Sequence, residues 1–306
     1  MMKLGVIFGF VFCVIVINLL LFYWLFPLDT IEFSLKPGER NYNFTINSTG
    51  AMQFYENMRY SSSNISYSIK DACTLKKKED MQRAFDIVAN LSVLNFYPVG
   101  SNEEISVTCK DEIEVNERFF VAGEGGPVNI TSAGNFNVIL KGSVLLLKES
   151  ECPNPNIAIH ELFHALGFDH SLNKNNIMYN VSKCSQEIGD DIMDSINKIY
   201  SYPSQPDLSL ENATALMHGR YLDTNISIRN TGLADSGESK IIIYADGDEI
   251  EEIPIDKIKT GFGLTLRLGN IFVSKFNVEE LTFEIRTNFE ELNKENNKIK
   301  LEIKSN

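Results

Sequence analysis

The stretch His160-Glu161-Leu162-Phe163-His164-Ala165-Leu166-Gly167-Phe168-Asp169-His170 holds three of the four histidines in the chain, and the rest of the sequence is read outward from it. On a helix of about 3.6 residues per turn, positions four apart share a face. His160 and His164 therefore point two imidazoles at one ion, while Glu161 reaches a water held by that ion. Gly167 lets the chain leave the helix in a backbone conformation that a side chain resists, and His170 returns as a third ligand. Three nitrogen ligands with a fourth position open are the pattern of a catalytic rather than a structural zinc. A lone histidine on a helix is ordinarily a core residue; three with a glutamate and a glycine at this spacing are not.

These residues resemble the long motif of the metzincin zinc endopeptidases, His-Glu-x-x-His-x-x-Gly-x-x-His, which is followed by a methionine turn. Asn176-Ile177-Met178-Tyr179 stands where that turn is expected, and the resemblance makes Met178 an apolar floor beneath the histidines. Ser171, together with Ile177-Met178-Tyr179, is most similar to the matrixin branch rather than to the astacin or adamalysin branches, although Phe163 stands where matrixins usually carry glycine. The resemblance covers roughly residues 55–202 and implies an α+β catalytic domain with a twisted mixed sheet and helices. It also implies one catalytic zinc ion, protein or peptide substrates, and peptide hydrolysis by a zinc-activated water with Glu161 as general base. In metzincins the strand before the zinc helix borders the cleft and pairs with an extended substrate. Val144, Leu145, Leu146 and Leu147 are the residues expected there. Tyr179-Asn180-Val181 is expected to wall the pocket beyond the scissile bond. The Pro-Arg-Cys-Gly switch of many matrixins is not in the sequence, and a calcium site is left undecided.

Leu4 to Phe26 is uncharged and mostly apolar, which as a helix spans roughly 35 Å against a hydrocarbon core of about 30 Å. Its end lacks the small-x-small pattern of a cleavage site, so an uncleaved transmembrane helix is expected. Lys3 before it and Asp29 and Glu32 after it put the amino terminus in the cytoplasm and the catalytic domain outside, a single-pass cell-membrane protein. Phe22, Tyr23 and Trp24 would sit at the outer interface. The net charge of −13 opposes nucleic-acid binding, because phosphates repel an acidic surface.

Cys73, Cys109, Cys152 and Cys184 form an even set on the exterior side, where disulfides persist. Three pairings are open. The favoured one joins Cys73 to Cys109 and Cys152 to Cys184, since the second bond would bracket the zinc helix and the methionine turn. Sequons at Asn43, Asn47, Asn64, Asn90, Asn129, Asn180, Asn212 and Asn225 suit a glycoprotein.

Four segments follow: 1–27 as the anchor, 28–50 as a juxtamembrane arm or first edge strand, 51–203 as the peptidase-like domain and 204–306 as an all-β domain. Met81, Phe85 and Val88 form an apolar helical stripe over 76–91. Asn137 to Leu140 and Ser143 to Leu147 read as two strands, and Ala122-Gly123-Glu124-Gly125-Gly126-Pro127 reads as a surface loop. Ile188, Ile192, Ile196 and Ile199 mark a further helix, ended by Pro203 and Pro206. From Asp207 short period-two runs separated by turns predict an immunoglobulin-like sandwich, and its closing Glu290 to Asn297 resembles the adhesion-related CARDB type. That domain is expected to dock on surface partners or to act as a spacer. The rival to a membrane-anchored extracellular endopeptidase is a cell-surface adhesion protein with a non-proteolytic metzincin-like module.

Overall fold

The structure, a computed structural model, describes residues 4–25, 30–35, 52–110, 113–116 and 119–304. It divides into two compact units, Asn43–Pro206 with Thr231–Ala234, and Met1–Tyr42 with Asp207–Asn230 and Asp235–Asn306.

Helix α1 (Leu4–Leu25) takes up the apolar run. Its Phe8, Phe10, Phe12, Leu19 and Leu20 are all exposed. Among the described residues no helix is long and apolar enough to cross a membrane. The side chains of α1 are described only from 8 to 21, about 21 Å of helix. Lys3 and Asp29 of the expected charge step, the side chains of Phe22, Tyr23, Trp24 and Glu32, and the sequons at Asn43 and Asn47 lie outside the described residues. The other six sequon asparagines are exposed.

Strand β1 (Thr30–Leu35) is neither arm nor edge: it pairs antiparallel on both sides within the all-β unit. That unit continues through β10 (Leu208–His218), β11 (Tyr221–Asn230), β12 (Ser239–Ala245), β13 (Asp248–Ile255), β14 (Gly263–Phe272), β15 (Glu280–Thr287) and β16 (Lys298–Ile303). Its strand order is β13-β12-β15-β16-β1-β10-β11-β14. Alternate residues such as Leu222, Ile226, Ile241, Ile243, Leu281, Phe283 and Leu301 point into one core, and Phe33 of β1 joins them at 7% exposure. Period-two burial with turns between strands is what the sequence pattern requires. The Asp246-Gly247 turn, with both residues at positive φ, matches the twist of the hairpin it joins.

The other unit has a mixed sheet ordered β2 (Met58–Tyr60), β9 (Phe136–Leu146), β5 (Ile105–Cys109), β3 (Asn64–Ile69), β4 (Asn95–Pro98), with β8 (Gly123–Ala133) antiparallel to β9. A hairpin of β6 (Ile113–Asn116) and β7 (Phe119–Val121) stands apart. Helices α2 (Leu75–Leu91), α3 (Asn156–Ala165) and α4 (Asp190–Tyr200) complete it. The α2 stripe of Met81, Phe85 and Val88 is buried, as are Ile192, Ile196 and Ile199 of α4. Thr74 caps α2 by accepting from the Lys77 amide at 3.2 Å. The core lies on the sheet face that carries Val107, Val144 and Leu146, while Ser106, Thr108, Ser143 and Leu145 on the opposite face are half-buried. The two strands read at 137–147 are one strand, β9, that continues through Gly142. A Cβ there would stand 2.3 Å from the Tyr60 hydroxyl, which donates to the Ala165 carbonyl at the end of α3.

Both favoured disulfides are present. Cys73 and Cys109 lie 4.9 Å apart between Cα atoms, and Cys152 and Cys184 lie 5.1 Å apart.

Candidate metal centre and cleft

Helix α3 follows Asn154-Pro155, and its residues from Ala158 to Ala165 are buried. It ends at Gly167, whose φ of +98° is the left-handed exit foreseen for it. A Cβ at Gly167 would also lie 2.6 Å from Cγ of Met58. From that exit Asp169 accepts the His170 amide at 2.7 Å, and the third histidine turns back toward the helix.

His160, His164 and His170 meet with their ligand nitrogens all within 4.8 Å of one another. Nε2 of His164 lies 3.0 Å from Nε2 of His160 and 3.3 Å from Nε2 of His170. A tetrahedral zinc bound at about 2.05 Å separates its nitrogen ligands by roughly 3.3 Å, so the spacing fits the ion. The opposite ring nitrogens fix the tautomer: Nδ1 of His160 faces the Ile177 carbonyl and Nδ1 of His164 the Phe168 carbonyl, each at 2.7 Å. Each Nδ1 has only an acceptor before it and so carries the proton, which leaves unprotonated Nε2 atoms converging on one point. Burial holds the His160 ring down to about 4, the other two rings adding to the shift against the Ile177 carbonyl, and burial lowers His164 as well. Both are therefore neutral, the form a metal takes.

The methionine turn serves this centre through its backbone as well as its side chain. Met178 is fully buried. Its amide donates to Asn176 Oδ1 at 2.8 Å, and its carbonyl accepts from the Ser171 amide at 2.8 Å. Because Ile177 supplies the carbonyl for His160, the turn orients the first ligand directly. Phe163 packs into the core, fully buried.

Glu161 is 6% exposed and lies under β8. A Cβ at Gly123 would stand 2.6 Å from Glu161 Cγ, and one at Gly125 would stand 2.2 Å from the Glu161 carbonyl oxygen. Glycine is needed at both positions for the strand to approach the helix this closely. Burial pushes the Glu161 carboxyl up to about 8, and Glu124 adds to the shift; a divalent cation at the histidines acts in the opposite direction.

Two readings of the sequence are corrected here. Val144 to Leu146 cannot take a substrate strand, because β9 is already paired with β5 on one side and β8 on the other, and Leu147 donates its amide to Ala122. The strand bordering the cleft is β8, whose outer edge has no partner strand among the described residues. The glycine-rich run at 122–127 is thus mostly strand rather than surface loop: its ladder partner β9, not its composition, makes it extended. The only local signal was the alternation of Gly123 and Gly125 around Glu124.

The cleft holds about 700 Å³. One wall is β8 at Ala122 to Gly125. The rest of the lining includes Lys148 to Cys152, whose first amide donates to the Ala122 carbonyl at 3.0 Å, and Asn180 to Cys184; of the three residues after the methionine turn expected at a substrate pocket, Asn180 and Val181 line the cleft and Tyr179 does not. Phe54, not singled out from the sequence, stacks on His164 with ring centroids 5.8 Å apart. Its amide donates to the Gly167 carbonyl at 3.0 Å.

Comparison with known families agrees with this geometry at the level of the metzincins. A CARDB family model matches residues 205–301, in line with the resemblance of the closing segment. No individual curated protein matches the chain. The model of the Astacin peptidase family matches residues 52–221. The matrixin branch favoured from Ser171 and the Ile-Met-Tyr run is therefore not supported. The astacin match runs past the boundary of the fold at Pro206 into β10 and β11 of the all-β unit. It takes in the histidine centre, the methionine turn and both cleft walls, and it spans more than half of the sequence: the chain belongs to the astacin family of peptidases, whose members are metzincin zinc metallopeptidases.

Proposed function

We propose that this chain is a membrane-anchored, outward-facing zinc endopeptidase in which Glu161 is the general base. The observation that carries the reading is the convergence of three histidine Nε2 atoms beside a buried glutamate that has no role as a ligand. When bound, zinc supplies a Lewis acid that polarises the scissile carbonyl and makes water nucleophilic at neutral pH. His160, His164 and His170 hold it, each of the first two fixed by a backbone carbonyl at its other nitrogen. The free edge of β8 aligns an extended peptide above α3 by strand addition. Glu161 takes the proton of the attacking water on a carboxylate oxygen and returns it to the leaving amine. Its burial beneath Gly123 excludes bulk water from that exchange. A binding module without proteolysis has no use for an unligated buried carboxylate there.

The exposed apolar residues of α1, two disulfides and exposed sequons support the anchor and the exterior location, since disulfides persist outside the cytosol. The all-β unit, whose strands form one eight-stranded sheet where a two-sheet immunoglobulin-like sandwich was expected, is the spacer or the docking face. Protease added to intact cells is expected to shave the chain, and full protection would sink the topology.

Glu161→Ala is expected to keep zinc and lose about 10²–10⁴-fold in rate, whereas His164→Ala loses the metal, because two histidines hold zinc poorly. Zinc content measured beside peptide cleavage separates the two. A Glu161→Ala protein as active as wild type would remove the mechanism and leave the metal centre standing.

A further inference from the structure

Strand β8 presents two kinds of position to whatever pairs with its open edge. Positions 123 and 125 turn toward α3, where a Cβ would meet Glu161 or His164. Because side chains alternate along a strand, Glu124 points to the opposite sheet face. The row across that face is Thr108 of β5, Leu145 of β9 and Glu124 of β8, and the next place in the row belongs to the incoming peptide. Thr108 and Leu145 bring no charge to it. Glu124 is exposed; among the described residues no ion pair is formed by its carboxylate, which acts on that of Glu161 as a like charge. Of the two lysines that line the cleft, Lys148 is bonded through its amide to the Ala122 carbonyl and has its ammonium 3.6 Å from Glu151, and Lys183 belongs to the segment after the methionine turn. The position opposite Glu124 is therefore one where a substrate side chain meets an unpaired negative charge.

Resting on the endopeptidase reading above, we infer that Glu124 is a specificity-determining residue that selects lysine or arginine at the substrate position directly across from it. In a cross-strand pair, side-chain origins lie about 4.5–5.5 Å apart, within reach of an ammonium or guanidinium group on a carboxylate. Gly123 packs on Glu161, and Gly125 on Glu161 and His164. At about 3.3 Å per residue, the selected position lies within about two residues of the scissile bond. An acidic side chain in that place faces a like charge and is disfavoured. The preferred substrates are thus extended segments with a basic residue beside the cleaved bond.

The test uses the full-length chain in detergent, loaded with zinc, against peptide sets that carry lysine, glutamine or glutamate at each position around the cleaved bond. Wild type is expected to favour lysine over glutamine at one position by about two- to five-fold, the range of a cross-strand charge pair. Glu124→Gln abolishes that preference, and Glu124→Lys inverts it toward glutamate at the same position. Glu124 is exposed, and matching thermal melting curves for the three proteins show that the substitutions leave the fold intact. Cleavage with an identical profile in all three proteins overturns the role of Glu124 while sparing the endopeptidase reading. An absence of cleavage of any peptide by zinc-loaded wild type overturns both.

Discussion

The two walls of the cleft are built by opposite means. The β8 wall has almost no side chains near the metal centre, and its outer edge has no partner strand among the described residues. It is held by its ladder to β9 and by the close seating of Gly123 and Gly125 on α3. The rest of the lining, which leaves the β8 side where the Leu147 and Lys148 amides donate to the Ala122 carbonyl, is tied down at many points. Lys77 donates to the Leu147 carbonyl at 2.9 Å, the Ser150 amide to Asp80 at 3.0 Å, and Arg83 to the Pro153 carbonyl at 3.1 Å. Gln186 donates to the Val181 carbonyl at 2.9 Å, and Cys152–Cys184 joins the two segments covalently. A wall that reads peptide backbone needs only an open edge and room to approach. One that shapes a side-chain pocket has to be locked, since loops left to themselves sample many conformations.

Removing the lock gives the largest effect on stability. The Cys152–Cys184 bond has a sequence separation of 32, and replacing both cysteines by serine is expected to cost about 3–4 kcal/mol on the chain-entropy account. Denaturant melts measure that loss. If the comparison is right, peptide profiling of the folded fraction will show side-chain selectivity blurred while cleavage of extended peptides persists.

Disturbing the other wall should spare pocket selectivity and reduce turnover. Gly125→Val places a branched side chain where a single Cβ already meets the Glu161 carbonyl oxygen at 2.2 Å, so the strand must move off α3. A displacement of about 1 Å in a site of this kind lowers rate by roughly 10²-fold, read as kcat/KM on one extended peptide. Gly126 is the control. A Cβ there meets nothing within 4 Å, and Gly126→Ala should stay within about 0.5 kcal/mol in stability with cleavage retained. Equal losses at the two glycines would mean that strand flexibility, not clearance, sets the effect.

Between these extremes lies Asp80, which is 3% exposed and accepts the Ser150 amide from α2. Asp80→Ala leaves that buried amide without a partner and is expected to cost about 1–3 kcal/mol. Hydrogen exchange at Ser150 should rise with it. Unchanged protection would show that the locked wall does not depend on α2.

What could be seen in the sequence follows the distance over which each feature is determined. The metal centre lies within His160 to Met178, and the apolar stripes of α2 and α4 are local periodicities, so both were legible. The disulfide pairing could be reasoned from what it would enclose. The β8 strand could not: glycines and a proline in six residues signal a turn, and only the β9 ladder overrules them. The substrate-facing edge was consequently assigned one strand too far inward, at Val144 to Leu147. Nor does anything near Thr30 to Leu35 announce that its neighbours are β10 and β16. The branch of the family was misjudged from residues after the last histidine that take no part in holding the ion.

That placement of β1 governs the order in which the molecule is completed. β1 leaves the ribosome before the whole Asn43–Pro206 unit, yet its registers run Thr30 to His218 on one side and Leu35 to Leu301 on the other. At about 5–20 residues per second, it waits on the order of tens of seconds for its second neighbour. Its groups on the β10 side have a partner once His218 is made, whereas those on the β16 side have none until Leu301 to Ile303 are made.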